Sequence, residues 1–143
     1  MTTPRLTVSQ LSASECWTRL ETIDVGRVGI TVGALPVILP VFYCVVDASI
    51  VFRATEGTKL SAATNNTVIA FEAGDYQTTI DQGWSVIAQG IGRVVTDPEE
   101  LAVLGLLPLR LVANGDIDAD RFVVITPTRI SGRMIEPVGT SRS

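Results

Sequence analysis

The sequence has no histidine and only two cysteines among its 143 residues, Cys16 and Cys44. The lack of histidine excludes Ser/His and Cys/His nucleophilic schemes, the usual zinc ligand sets and histidine general-base chemistry. Cys16 falls in a predicted helix and Cys44 in a predicted strand, and there is no C-x-x-C motif. We therefore expect two unbonded thiols, no resident metal and a cytoplasmic protein.

Charge is also scarce, at 18% of the residues, and acidic residues outnumber basic ones by 15 to 11. The net charge of −4 argues against non-specific nucleic-acid binding, although a local cluster of cations can still bind a small anion. Hydrophobic residues make up 46% of the chain, which is enough for one folded domain. We assign that domain to residues 11–136, with an N-terminal arm at 1–10 and a C-terminal tail at 137–143.

One run, Val28 to Val46, carries no charge over 19 residues, which is close to the length of a membrane-spanning helix. It holds Pro36, Pro40, two glycines and many β-branched residues, and "VGALP" is a turn signal. The run therefore predicts two strands joined by a hairpin and no membrane partner. It exceeds the apolar surface that a small barrel needs inside, so we expect a homodimer with a large apolar interface.

The remaining pattern predicts an α+β domain that is mainly β. Ser12 and Glu15 have the spacing of a capping box and predict an N-terminal helix, and Asp97 followed by Pro98 predicts a second helix. "GTKLSAAT" predicts a short helix and "DYQTTIDQG" a polar loop. Antiparallel strands close into a small barrel, and they are predicted at "GRVGITV", "LPVILPVFYCVV", "SIVFRAT", "TVIAFEAG", "WSVIAQGIGRVVT" and "DADRFVVITPTRISGRMI". The glycines of "WSVIAQGIGRVVT" indicate either a bulge or a close approach of another segment.

Three stretches are candidates for binding chemistry. In "VFRATEGTKLSAA", cations and threonines surround Gly57 at a predicted helix start, which suits a phosphate, although Glu56 opposes an anion and a solvated turn is the alternative. "LPVFY" and "WSVIAQG" would suit a flat aromatic ligand, the alternative being core packing with Trp84 as an anchor. In "ISGRMI", Arg133 either reaches an anion or ends a strand.

In this order, the motifs resemble the pyridoxamine 5′-phosphate oxidase-like family of FMN-binding split barrels. The resemblance is carried by "VGRVGI", "LPVILPVFY", "IVFRATEGTKL", "VIAFEAG", "GWSVIAQGIGRVV" and "ITPTRISGRMI". It implies a split β-barrel homodimer with short flanking helices and FMN at the dimer interface, or a deazaflavin cofactor as in some relatives. The residues it assigns to the cofactor are Arg53, Thr55, Thr58 and Lys59 at the phosphate, Leu39, Pro40 and Val41 against the ring, and Ser85 beside Trp84 at the ring edge. Arg133 is a further candidate for the cofactor site, from its own motif and not from the resemblance.

The resemblance implies a flavin-dependent oxidoreductase that uses a small-molecule electron donor and acceptor. A non-enzymatic flavin- or deazaflavin-binding protein and an empty split barrel are the alternatives. Two departures matter: the region "LLPLRLVANGD" lacks the Pro-Trp pair common in this branch, and the basic residues that hold pyridoxal phosphate in the true oxidase have no match. The oxidase substrate is therefore not carried over.

Overall fold

The computed structural model describes residues 3, 5–54, 63–110 and 121–139, and this part of the chain is mainly antiparallel β-sheet with two short helices. This confirms the predicted fold class. In chain order the elements are β1 (Leu6–Leu11), α1 (Ala13–Leu20), β2 (Val25–Val32), β3 (Leu35–Val46), β4 (Ser49–Ala54), β5 (Val68–Gln77), β6 (Gln82–Val94), α2 (Pro98–Leu104) and β7 (Arg121–Pro137).

The strands form a closed barrel. Their order is β1-β7-β4-β3-β2-β5-β6, and an additional pairing of β6 with β7 joins the two sides. β7 pairs with β4 through its first residues, with β6 along most of its length, and with β1 through its last residues. The strand β1 therefore lies outside the closed ring, as an extra edge strand along the end of β7.

Two tight turns explain why the uncharged run folds as strands. Gly33 adopts a left-handed φ of 60° between the paired residues Val32 and Leu35, a conformation that glycine adopts without steric cost. Asp47 and Ala48 have φ values of 48° and 56° between the paired residues Val46 and Ser49, as a two-residue hairpin turn requires. The hairpin at Gly33 was predicted from the sequence, and no helix in the described residues is long and apolar enough to cross a membrane.

The main core fills the barrel and extends under α1. The rings of Tyr43 and Phe71 meet edge to face with centroids 4.8 Å apart, and the Tyr43 hydroxyl donates a 2.6 Å hydrogen bond to the Leu20 carbonyl. That bond fastens the C-terminal end of α1 to the barrel. The helix begins with the predicted capping box of Ser12 and Glu15 and buries Cys16 and Leu20 completely.

A second, smaller core lies on the outside of β4 and β7, under α2. It contains Val51, Val95, Leu104, Phe122 and Val124. As predicted, Asp97 caps α2 and Pro98 occupies its first turn. The Arg93 guanidinium donates bonds of 3.0 and 2.7 Å to the two Glu100 carboxylate oxygens, which tie the end of β6 to the helix and lower the pKa of Glu100.

The structure corrects the sequence prediction in two segments. Leu6–Leu11, which covers the end of the predicted arm and the first residue of the predicted domain, forms β1 although Leu11 is its one buried residue, because its pairing with β7 compensates for its polarity. Asp75–Gln77, predicted as loop, prolong β5 by pairing with Gln82–Trp84. The predicted bulge in β6 is confirmed by a register shift between Gln89 and Gly90. The predicted helix at "GTKLSAAT" lies outside the described residues, except Ala63 and Thr64, which are helical.

The two cysteines are free, as predicted. Cys16 is fully buried, and a side-chain carbon placed at Gly132 would lie 2.7 Å from its Sγ atom. Burial, and secondarily the charge of Glu15, raises the pKa of the Cys16 thiol, and burial likewise raises the pKa of Cys44. Both thiols are therefore poor nucleophiles near neutral pH.

Gly26→Ala should lower the free energy of unfolding by about 1–3 kcal/mol, since overpacking costs that much. A Cβ atom at Gly26 would collide with the Phe71 ring and lie 2.9 Å from the Glu72 carbonyl oxygen. Gly29→Ala on the same strand is the control, because its Cβ would meet Ala70 at an ordinary 3.5 Å. Denaturant unfolding should show a change within about 0.5 kcal/mol for the control. Equal stability of the two variants would contradict the packing described.

Candidate functional site

Arg53 lies at the end of β4, on the outer face of the barrel. It pairs across the strands with Phe122 of β7, and its guanidinium carbon is 4.7 Å from the centre of the Phe122 ring. Phe122 is 7% exposed and the Nε atom of Arg53 is buried. The aromatic face and the second core hold the cation close to where β4 ends. Thr55, Thr58 and Lys59, the other predicted phosphate ligands, lie outside the described residues.

Leu39, Pro40 and Val41 lie in the middle of β3, next to β4. Leu39 packs against the main core and Val41 is buried in it, whereas Pro40 is exposed. Pro40 pairs with Arg27 of β2. A planar ligand lying on this strand from outside would therefore contact Pro40 and the backbone, and the other two side chains support the strand from within.

Trp84, Ser85 and Arg133 come together on β6 and β7. Ser85 pairs directly with Arg133, and Trp84 pairs with Met134. Trp84 is 8% exposed and belongs to the main core, so the alternative of a core anchor is correct for most of its surface. Ser85 is half-buried and Arg133 is exposed.

Ser85 separates two clefts on the outer face. One, of about 400 Å³, is lined mainly by Arg27, Glu72, Asp75, Tyr76, Trp84 and Ser85. Arg27 donates a 3.0 Å hydrogen bond to Glu72 across β2 and β5, whereas Asp75 has no bonded cation among the residues that the structure describes. The other cleft, of about 600 Å³, lies between β1, β6 and β7 and includes Arg133 but no carboxylate. The two clefts therefore differ in the sign of their charge.

The predicted residues form two separate groups. The segment 39–41 lies on β3 and Arg53 on the neighbouring strand β4. Trp84 and Ser85 lie on β6, and Arg133 lies on β7. On β7, the partner of Arg53 is Phe122 and the partner of Ser85 is Arg133, eleven residues further along. At about 3.3 Å per residue this is roughly 36 Å of strand. The described residues of one chain thus do not bring the two groups into a single pocket.

Sequence reasoning missed Phe122 and Gln10. Phe122 lies in a predicted strand, but its contact with Arg53 depends on the pairing of β4 with β7, which no local pattern encodes. Gln10 was placed in the N-terminal arm and instead pairs with Arg133. The strand that contains Gln10 was not predicted, because β1 is polar and short.

Comparison with known proteins assigns the chain to a family. The family described as pyridoxamine 5′-phosphate oxidase matches residues 12–134, which is most of the sequence. The chain belongs to this family. Structures of its relatives share the split β-barrel fold, which confirms the family resemblance seen in the sequence.

Three relatives show how similar the chain is to known members. The FAD binding protein of Mycobacterium smegmatis is 36% identical, with a TM-score of 0.75 over 89% of this chain and 97% of its own. A candidate pyridoxamine 5′-phosphate oxidase of Corynebacterium glutamicum is 28% identical, with a TM-score of 0.77 over 90% of this chain and 98% of its own. The uncharacterized protein Rv0080 of Mycobacterium tuberculosis is 37% identical over 100 residues, 66% of each chain.

The contact between Arg53 and Phe122 should have a measurable coupling energy. A double-mutant cycle with Arg53→Met and Phe122→Leu, read out by unfolding free energies, is expected to give about 1–2 kcal/mol. Arg110 and Phe42 are the matched control, since their separation is 5.5 Å and the Arg110 side chain is 70% exposed. A coupling for Arg53 no larger than that of the control would show that the ring does not hold the cation.

Proposed function

We propose that this protein is a flavin-dependent oxidoreductase that binds a flavin nucleotide. The observation that carries the proposal is the fixed cation Arg53, held on Phe122 at the end of β4, the strand that pairs with the C-terminal part of β3. Family membership and the FAD binding relative of Mycobacterium smegmatis support it. Family and fold are compatible with many substrates, so the substrate is not carried over from any relative.

The donor set suits the phosphate of such a cofactor. Arg53 provides a charged donor, and Thr55, Thr58 and Lys59 follow within six residues of sequence. The ring would lie against Pro40 of one chain, and Ser85, Trp84 and Arg133 of a second copy would be at its far edge. A bound flavin supplies hydride chemistry, and this chain supplies position and exclusion of water, for which no histidine is required.

FMN is the smallest cofactor that meets these requirements, and FAD contains the same phosphate and ring. The relative from Mycobacterium smegmatis supports FAD, and a deazaflavin is the third candidate. Mass spectrometry of the small molecule released on denaturation would distinguish the three. A purified protein that carries no flavin and binds none in titration would reduce the proposal to an empty barrel.

A flavin-binding protein without catalysis is the second candidate, because the Mycobacterium smegmatis relative is described by its binding alone. An assay with a reduced nicotinamide or deazaflavin donor, in which absorbance monitors oxidation of the donor under turnover, separates the enzyme from the binding protein. Steady consumption of the donor supports the enzyme. Reduction of the bound flavin by one equivalent of donor, with no further consumption of the donor, supports the binding protein.

A homodimer would unite the two groups of site residues. The outer face of β2, β3, β5 and β6 carries exposed apolar side chains, with Ile38 72%, Val68 73% and Ile91 54% exposed. Val68 and Ile91 are cross-strand partners, and Ile38 lies beside Gly29, which in turn pairs with Ala70. We propose that a second copy packs on this face and places its Ser85 group near the Arg53 group of the first.

Ile38→Glu should convert the dimer to a monomer, because it would bury a charge in the proposed interface. Sedimentation at micromolar concentration measures the mass. Leu106→Glu is the matched control, since Leu106 is 86% exposed just after α2 and away from this face. A parent protein that sediments as a stable monomer would contradict the dimer outright.

Lys59→Ala should weaken FMN binding by roughly ten- to a hundredfold, since a charged hydrogen bond contributes about 1.5–3 kcal/mol. Riboflavin, which has no phosphate, should bind parent and variant nearly equally. Fluorescence titration measures both affinities, with Arg129→Ala as the control for loss of a positive charge. Unchanged FMN affinity in the Lys59 variant would place the phosphate elsewhere.

A further inference from the structure

The cleft between β1, β6 and β7 contains a row of three polar side chains. Arg133 of β7 pairs with Gln10 on one side and with Ser85 on the other. Paired residues in antiparallel strands point to the same face with Cβ atoms about 5 Å apart. An amide, a guanidinium and a hydroxyl thus lie side by side at the surface of the same cleft.

The charge of this cleft is unlike that of the protein as a whole. The chain has a net charge of −4, and the neighbouring cleft beyond Ser85 contains Asp75 as well as the Arg27–Glu72 ion pair. The residues that line the β1 cleft include Arg133 and no acid. In the described residues Arg133 has no ion pair, whereas Arg27 and Arg93 are each bonded to a glutamate. An anion entering from solvent would be attracted to Arg133 and repelled from the neighbouring cleft.

Apolar side chains flank the polar row. Val8 of β1 is 57% exposed and Ile87 of β6 is 42% exposed, and both line the cleft. Its volume of about 600 Å³ lies within the range of small-molecule sites. Exposed apolar walls on either side of a charged donor suit a ligand with a hydrophobic body and one anionic end.

We propose that this cleft is the substrate subsite and that it binds a small organic monoanion by its carboxylate. The Arg133 guanidinium would pair with both carboxylate oxygens, and the Gln10 amide and Ser85 hydroxyl would donate to them from either side. The apolar body would lie against Val8 and Ile87. The assignment as a substrate subsite rests on the proposed function, because Ser85 would bring the anion next to the ring edge of the flavin.

Benzoate is the probe, and benzamide is its neutral counterpart of nearly the same shape. The protein as purified, with any cofactor it carries, is titrated with each by calorimetry and by NMR of the Gln10 side-chain amide and Arg133 Nε. Benzoate should shift both signals and saturate, and benzamide should bind at least about tenfold more weakly. Equal affinities, or shifts that never saturate and spread over the surface, would overturn the proposal.

Substitutions test the assignment of the carboxylate. Arg133→Gln should weaken benzoate binding about tenfold or more, and the isosteric Gln10→Glu should do the same by repulsion. Arg129→Gln is the control, because Arg129 is an exposed arginine on the same strand that pairs with Gln89 and does not line the cleft. An equal loss in the Arg129 variant would show that only net charge matters and would contradict the subsite.

Flavin binding, measured separately by absorbance, distinguishes failure of this proposal from failure of the proposed function. A protein that binds flavin but shows no saturable benzoate binding would overturn the subsite and leave the cofactor site intact. A protein that binds benzoate through Arg133 but no flavin would keep the anion site and remove its role as a substrate subsite. Thermal melting of each variant confirms that it is folded.

Discussion

The pairing of β7 with three other strands is the constraint on which the rest of the structure depends. Its first residues pair with β4, most of its length with β6 and its end with β1. The barrel closes because β7 pairs with β4 on one side and with β6 on the other, since an open edge would leave backbone groups without partners. Because β7 is continuous over 17 residues, the same strand supplies Phe122 against Arg53 and Arg133 beside Ser85. The strand pairing that closes the barrel therefore also positions these residues of the candidate site.

The packing inside the barrel explains how an outer face can be used for binding. Tyr43, Phe71 and Leu20 are almost wholly buried and joined by a ring contact and a hydrogen bond, so the strands are held from within. Side chains alternate along a strand, so each buried residue has outward-facing neighbours that the core does not require. Polar and apolar side chains on the outer face are consequently available for a ligand or a second chain.

Much of the fold follows from short-range signals, and most of the candidate site does not. The capping box at Ser12 and the turn at Gly33 are local rules, and the structure follows both. Gln10, by contrast, has no local signal, because β1 exists only where β7 offers it a partner. The contact of Arg53 with Phe122 likewise depends on residues nearly seventy positions apart. Strand register is a property of the whole sheet, so pairs that arise from it cannot be predicted from neighbouring residues.

Ser85 lines both of the clefts on the outer face. On one side are the Arg27–Glu72 ion pair and Asp75, which disfavours an anion, and on the other is Arg133, which favours one. A ligand with an anionic end and an uncharged end would therefore be oriented by charge before any close contact formed. In a flavin-dependent enzyme, hydride transfer requires the substrate to lie in one orientation against the ring. This difference in charge across a single serine would supply that orientation in a protein that has no histidine to take part in the chemistry.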